Sequence, residues 1–70
     1  MRTLLVTGAS GFLGWNVCAA ARKTWRVVGT ARTHPTAIPG ATVVECDLTR
    51  PAETAALFRE VRPDAVIHAA

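Results

Sequence analysis

The sequence predicts an α/β fold, a parallel sheet with helices on both faces. Three observations carry the prediction. Four short apolar runs have the length and composition of strands, at Thr3–Thr7, Arg26–Thr30, Thr42–Cys46 and Ala65–His68. Helix-forming stretches separate the first run from the second and the third from the fourth, and that alternation implies parallel pairing through right-handed crossovers. A glycine-rich octet, Thr7-Gly8-Ala9-Ser10-Gly11-Phe12-Leu13-Gly14, stands at the first strand-to-helix junction.

Thr3–Thr7 lacks polar alternation, as a strand buried on both faces does. From Phe12 to about Lys23 there is no proline, and Leu13, Val17 and Ala20 or Ala21 recur at helical spacing, a stripe able to lie on a sheet. Arg22 and Lys23 fall in the expected last turn, where cations suit the helix dipole. Arg26–Thr30 reads as the second strand. Pro35, Pro39 and Gly40 deny Thr33–Ala41 a regular helix, so the second crossover is expected to be a loop. After the third strand, Thr49 is placed to cap a helix that has Pro51 and Glu53 in its early turns and runs to about Val61, with Pro63 ending it. The doubly wound order 3-2-1-4 then puts the two helices on opposite faces. The fourth strand is apolar and has nothing after it, an open edge that natural domains avoid. The 70 residues therefore read as part of one domain, a fragment or the ordered portion of a longer chain.

Composition narrows function by exclusion. A chain this short buries only about 60% of the surface its unfolded form exposes, so the core is small. Hydrophobic residues make up 50%, too many for a disordered tail. No apolar run approaches the roughly 20 residues that cross a bilayer, and Gly8 interrupts the first run, against a signal peptide. The expectation is a soluble, cytoplasmic protein with no membrane partner. Cys18 and Cys46 form no Cys-x-x-Cys pair and read as reduced, buried thiols. With His34 and His68 they are residues of zinc-binding type, but the scattered spacing lacks the close pairs of finger-like sites, and no metal is expected. The net charge of +3 suits an anionic partner. Its basic residues are dispersed and not interleaved with aromatics, so no nucleic-acid platform is expected.

The octet has the chemistry of a phosphate cradle. A pyrophosphate needs backbone N–H groups aimed at it, no Cβ in its path and a positive helix end beneath it. Gly8 allows a sharp exit from the strand, Gly11 lets a pyrophosphate come close, and Gly14 lets the helix pack tightly. Ser10 adds a hydroxyl within reach of a phosphate. The bare triplet is a weak signal, and a tight turn alone would also use it; the strand directly before and the helix directly after supply the weight. No Gly-Lys-Ser/Thr follows, which excludes a P-loop.

Thr7–Gly14 resembles the cofactor turn of the extended short-chain dehydrogenase/reductases, enzymes built on a Rossmann-type domain. Val27-Val28-Gly29-Thr30-Ala31-Arg32, Cys46-Asp47-Leu48-Thr49 and Pro63-Asp64-Ala65-Val66-Ile67-His68-Ala69-Ala70 resemble that family at the right intervals. The resemblance covers the N-terminal Rossmann part only. Within the family it is to nucleotide-sugar epimerases and to reductases of the dTDP-4-dehydrorhamnose reductase kind. It implies a nicotinamide-dinucleotide site in which Phe12 and Leu13 join the three glycines and Ser10. Asp47 would accept from the adenine amino group, Leu48 would contact the ring, and His68, Ala69 and Ala70 would line the cofactor near its ribose through their backbone. Read on its own, Asp47 also fits a turn residue ahead of Thr49, and His68 a hydrogen-bonded imidazole rather than a general base. As partners the resemblance implies a small-molecule substrate and allows a homodimer.

The ribose slot points to NADP rather than NAD. NAD-specific domains place an acidic residue about 20 residues beyond the turn, at the end of the second strand. Here the slot falls on Thr30 or Ala31, and the next residue is Arg32. A carboxylate would repel a 2′-phosphate, whereas a guanidinium pairs with it through two charge-assisted hydrogen bonds. Arg32 also fits the first solvated residue of a loop. The family's catalytic Tyr-x-x-x-Lys pair is missing: the chain has no tyrosine, and Lys23 is its one lysine. No catalytic residue is therefore assigned. The expected parent is an NADP-dependent reductase or epimerase acting by hydride transfer; the alternative is a non-catalytic NADP-binding regulatory subunit of the same fold.

Overall fold

The computed structural model describes residues 1–9, 11–32 and 38–69, and for Phe12 the backbone alone. The elements run in the order β1 (Thr3–Thr7), α1 (Phe12–Ala21), β2 (Arg26–Ala31), β3 (Ala41–Glu45), α2 (Pro51–Val61) and β4 (Ala65–His68). All strands pair in parallel in one sheet ordered β3-β2-β1-β4, as the α/β reading expects.

The apolar runs become the centre of the sheet because only a position covered on both faces removes them from water. Every residue of β1 is buried, and so are Val27–Ala31 of β2. Burying a side chain such as Leu5 or Val6 in full contributes roughly 1.5–3 kcal/mol. β3 and β4 flank this pair and are partly exposed. Asp64 pins the start of β4 to β1: its Oδ2 accepts from Thr3 N at 2.7 Å, and its own N–H donates to Thr3 O at 2.8 Å.

Right-handed crossovers place α1 on one face and α2 on the other. On the α1 face, Leu4, Val6, Ala9, Cys18, Val27 and Ile38 form the core cluster, with Val17 and Ala21 packed against it. The sheet-facing row of α1 thus contains Gly14 and Cys18, and Leu13 is 63% exposed. Of the expected stripe, Val17 and Ala21 pack on the sheet and Leu13 does not; Gly14 takes its place in the row. Gly14 is the reason: without a side chain there, the helix settles onto the turn at that position.

The helix ends also differ from expectation. α1 stops at Ala21, so Arg22 is its C-cap and Lys23 lies beyond it. Arg22 reaches away to donate from a guanidinium nitrogen to Pro39 O at 3.2 Å, and its chain packs on Gly40, whose φ is +80°. Thr49 does not cap α2; the N-cap is Arg50, with no side-chain capping bond. The Thr49 hydroxyl is taken by Asp47 Oδ1 at 2.6 Å instead. Glu53 does lie in the first turn and Pro51 at its start, as expected.

Between β2 and β3, residues 33–37 of the expected loop lie outside the described residues, His34 among them; Ile38–Gly40 form neither helix nor strand. Both cysteines are free and buried, and burial raises their thiol pKa values above the ordinary range. Among the described residues, no group of His, Cys, Asp and Glu could hold a metal. No helix there is long and apolar enough to cross a membrane.

Candidate functional site

Parallel pairing brings the carboxyl ends of all four strands to one edge of the sheet, with Thr7 and His68 facing each other across β1 and β4. At that edge the chain reverses its direction of travel across the sheet, the place where doubly wound folds open a crevice for ligands.

The glycine turn is built there in three distinct ways. Gly8 has φ +73°, a conformation that side chains with a Cβ rarely adopt. Gly14 is required by contact: a Cβ on it would collide with Gly8 O and stand 2.7 Å from Ala9 Cα. Gly11 meets neither constraint, since its φ is −78° and a Cβ would meet Gly8 O at an ordinary 3.5 Å. Nothing among these neighbours demands a glycine at position 11.

β2 holds the turn from below. Ala9 N donates to Thr30 O at 2.8 Å, and Gly8 N points to Thr30 Oγ1 at 3.4 Å. Gly29 lacks a side chain where a Cβ would stand 2.6 Å from Ala9 Cβ, so the turn rests directly on the strand. Gly11 N is turned back to Gly8 O at 3.2 Å. The first helical turn, Phe12–Gly14, offers donors to an outside anion, since N–H groups there lack intrahelical partners and the dipole is positive.

Beside the turn lies a cleft of about 140 Å³, lined by Gly8, Thr30, Arg32, Cys46, Asp47, Leu48 and Thr49. Thr30 and Ala31 are 1% and 2% exposed, so Arg32 is the first residue at the end of β2 to reach solvent. Asp47 begins the turn after β3. Its Oδ1 accepts from both Thr49 N (2.9 Å) and Thr49 Oγ1 (2.6 Å), and its Oδ2 stands 3.8 Å from Arg50 Nε. The Thr49 bonds, hydroxyl first, hold the Asp47 carboxyl below the usual carboxylate range, with smaller help from Arg32 and Arg50. Asp47 is thus the turn residue that its sequence position also fitted, and it lines the cleft as well.

The remaining residues singled out in the sequence fall around this edge. Leu13 is exposed on the first turn of α1, and Leu48 is half-buried in the cleft wall. His68 is exposed, and its Nδ1 lies 2.5 Å from the Thr7 hydroxyl; Ala69 N donates to Thr7 O at 2.9 Å. Ser10 and Ala70 lie outside the described residues, as does the Phe12 side chain. The structure therefore gathers Gly8, Arg32, Asp47 and Leu48 around one cleft, with Gly11–Gly14 at its helical side and His68–Ala69 on the next strand. Sequence reasoning had Thr30 only as a non-acidic ribose slot, and missed Cys46 and Thr49 as cleft walls and Gly29 as the seat of the turn. A glycine inside a strand run is a signal of close backbone approach and could have flagged Gly29.

Residues 4–70 match the NAD-dependent epimerase/dehydratase family. The chain belongs to that family. Its fold also matches solved structures. A Burkholderia cenocepacia J2315 protein assigned as an epimerase shares 32% identity at TM-score 0.87, over 99% of this chain and 25% of that one. The Bordetella bronchiseptica enzyme WbmH, solved in complex with NAD+, shares 26% identity at TM-score 0.82, over 100% and 26%. An L-threonine dehydrogenase from Clostridium difficile, at 22% identity and TM-score 0.82 over 97% and 23%, shares the fold. The chain spans about a quarter of the length of these proteins. No protein of curated function matches. Family and fold agree with the resemblance to the extended short-chain dehydrogenase/reductases.

Proposed function

We propose that the chain is the dinucleotide-holding part of an NADP(H)-dependent reductase or epimerase that acts by hydride transfer, with a nucleotide-linked sugar or similar carbonyl or alcohol as substrate. Gly11 carries the reading. The fold accounts for Gly8 through its backbone angle and for Gly14 through contact, but Gly11 is free of both constraints. Its missing side chain clears the path to the start of α1, where a pyrophosphate would take the N–H groups of Phe12–Gly14. The turn fits a dinucleotide on that ground.

In this reading the cleft beside the turn takes the adenosine half. Leu48 would contact the ring, Asp47 would accept from the adenine amino group, and the backbone of His68 and Ala69 would line the far side. Ser10 and Ala70 belong to the same proposed set. Arg32 would hold the 2′-phosphate, because the two residues before it are buried and neither is acidic. The nicotinamide, when bound, supplies or accepts the hydride; this chain's part is to fix its position. The proton-transfer group would come from other parts of the full-length protein, since the chain has no tyrosine and Lys23 sits beyond the end of α1, outside the cleft.

Calorimetric titration of the full-length protein tests the cofactor choice. NADPH should bind more tightly than NADH. Arg32→Ala should weaken NADPH binding by about 1–3 kcal/mol, the cost of leaving a charged partner unpaired, with NADH nearly unchanged. Equal losses for both cofactors would sink the 2′-phosphate assignment.

A further inference from the structure

The way β2 meets the glycine turn leaves one side chain without a role in the reading above. Thr30 is 1% exposed, yet it is polar and sits in the buried stretch Val27–Ala31 of β2, whose other residues are apolar. A valine would fill the same volume and suit the neighbouring Val27 and Val28. The hydroxyl accepts from the N–H of Gly8, at 3.4 Å, while the carbonyl of the same residue accepts from Ala9 N at 2.8 Å. Two consecutive peptide groups of the turn are therefore tied to one residue of the adjacent strand. Gly8 is also the residue with the left-handed backbone angle, φ +73°, so its peptide sets the direction in which the chain leaves β1.

We propose that Thr30 is a positioning residue for the dinucleotide. Its hydroxyl holds the N–H of Gly8 on one side of the left-handed residue and its carbonyl holds the Gly8–Ala9 peptide on the other. The carbonyl of that second peptide receives Gly11 N at 3.2 Å, which orients the start of α1. Thr30 thereby acts on the pyrophosphate through the turn and touches neither phosphate. The same residue is among those that line the cleft, with Gly8 and Arg32. The end of β2 and the residue after it thus divide the labour: Thr30 aims the pyrophosphate donors, and Arg32, just past the strand, reads the adenosine end. The inference rests on the dinucleotide reading and adds to it a residue whose effect should not depend on the 2′-phosphate.

The test is a set of equilibrium titrations on the full-length protein with Thr30→Val, Thr30→Ser and Arg32→Ala. The ligands are NADPH, NADH and 2′-AMP, which carries the 2′-phosphate and adenine but no pyrophosphate. Thr30→Val should weaken NADPH and NADH by the same factor, about five- to tenfold for one hydrogen bond, and leave 2′-AMP binding unchanged. Thr30→Ser, which keeps the hydroxyl, should bind all three like the wild type. Arg32→Ala should instead weaken NADPH and 2′-AMP together. Unchanged NADPH affinity in Thr30→Val would overturn the inference. So would an equal loss of 2′-AMP, the sign of a loosened domain, or a loss in Thr30→Ser as large as in Thr30→Val. Failure of the wild type to bind either dinucleotide would overturn the underlying reading, and this inference with it.

Discussion

Position 11 separates what a glycine does for the fold from what it does for a ligand. Replacing Gly14 drives a Cβ into the backbone of Gly8 and Ala9, which cannot move aside without lifting α1 off the sheet. Replacing Gly11 asks for no such shift. Gly14→Ala should therefore destabilise the protein by about 3 kcal/mol, as overpacking against fixed backbone does. Gly11→Ala should cost less than about 1 kcal/mol, the difference between glycine and alanine at an N-cap, and still lose most of the dinucleotide affinity. Thermal melts and NADPH titrations on the two variants check this; comparable stability losses would contradict it. At this scale the sequence was informative about chemistry and less so about neighbours. The triplet was legible because its strand and helix flank it directly. Thr30 was read only as a vacant ribose slot, since its bond to Gly8 joins residues that are distant in sequence and meet only when β1 and β2 pair.

Elements were legible in their centres and misread at their ends. An apolar run such as Thr3–Thr7 is forced into the sheet by burial, whichever neighbour it pairs with. Helix ends are decided by competition among a few polar groups. A proline-free run of helix formers extended α1 to about Lys23, but Arg22 finds the Pro39 carbonyl, and the helix closes at Ala21. Thr49 is a good cap by type, yet Asp47 sits two residues before it and captures both its hydroxyl and its N–H. An Asp two residues ahead of a Thr is itself a turn signal, and it was the stronger one here. The pH dependence of stability follows from the same bonds. Because Asp47 has a folded-state pKa below its ordinary value, its contribution is present above the ordinary carboxylate range and is lost as pH falls through the folded value. Thr49→Val removes the hydroxyl bond, the largest cause of that shift. The variant should show a shallower loss of melting temperature than the wild type as pH falls below about 4. An identical acid slope in both proteins would assign the linkage to other carboxyls.

At the scale of the molecule, the parallel order β3-β2-β1-β4 gathers the functional candidates at one edge without their being close in sequence. Gly8, Arg32, Asp47 and His68 are each the first or second residue after a strand, or its last. That regularity is why a sequence reading could place them together from strand order alone. It is also why the opposite edge is a useful control. There Trp25 lies under the Arg2 guanidinium at 4.3 Å from its ring centre, and Thr24 and Ala65 border a separate apolar groove of about 390 Å³. The central claim is that a nicotinamide dinucleotide lies along the carboxyl edge, across the glycine turn and the Arg32 cleft. Backbone amide chemical-shift mapping of the full-length protein during NADPH titration tests it most directly. The account predicts saturable shifts at Gly8–Gly14, Thr30–Arg32 and Cys46–Thr49, with smaller ones at His68 and Ala69, and none at Thr24, Trp25 and Ala65. Shifts centred on the Trp25 groove, or none at the glycine turn at saturating NADPH, would contradict it.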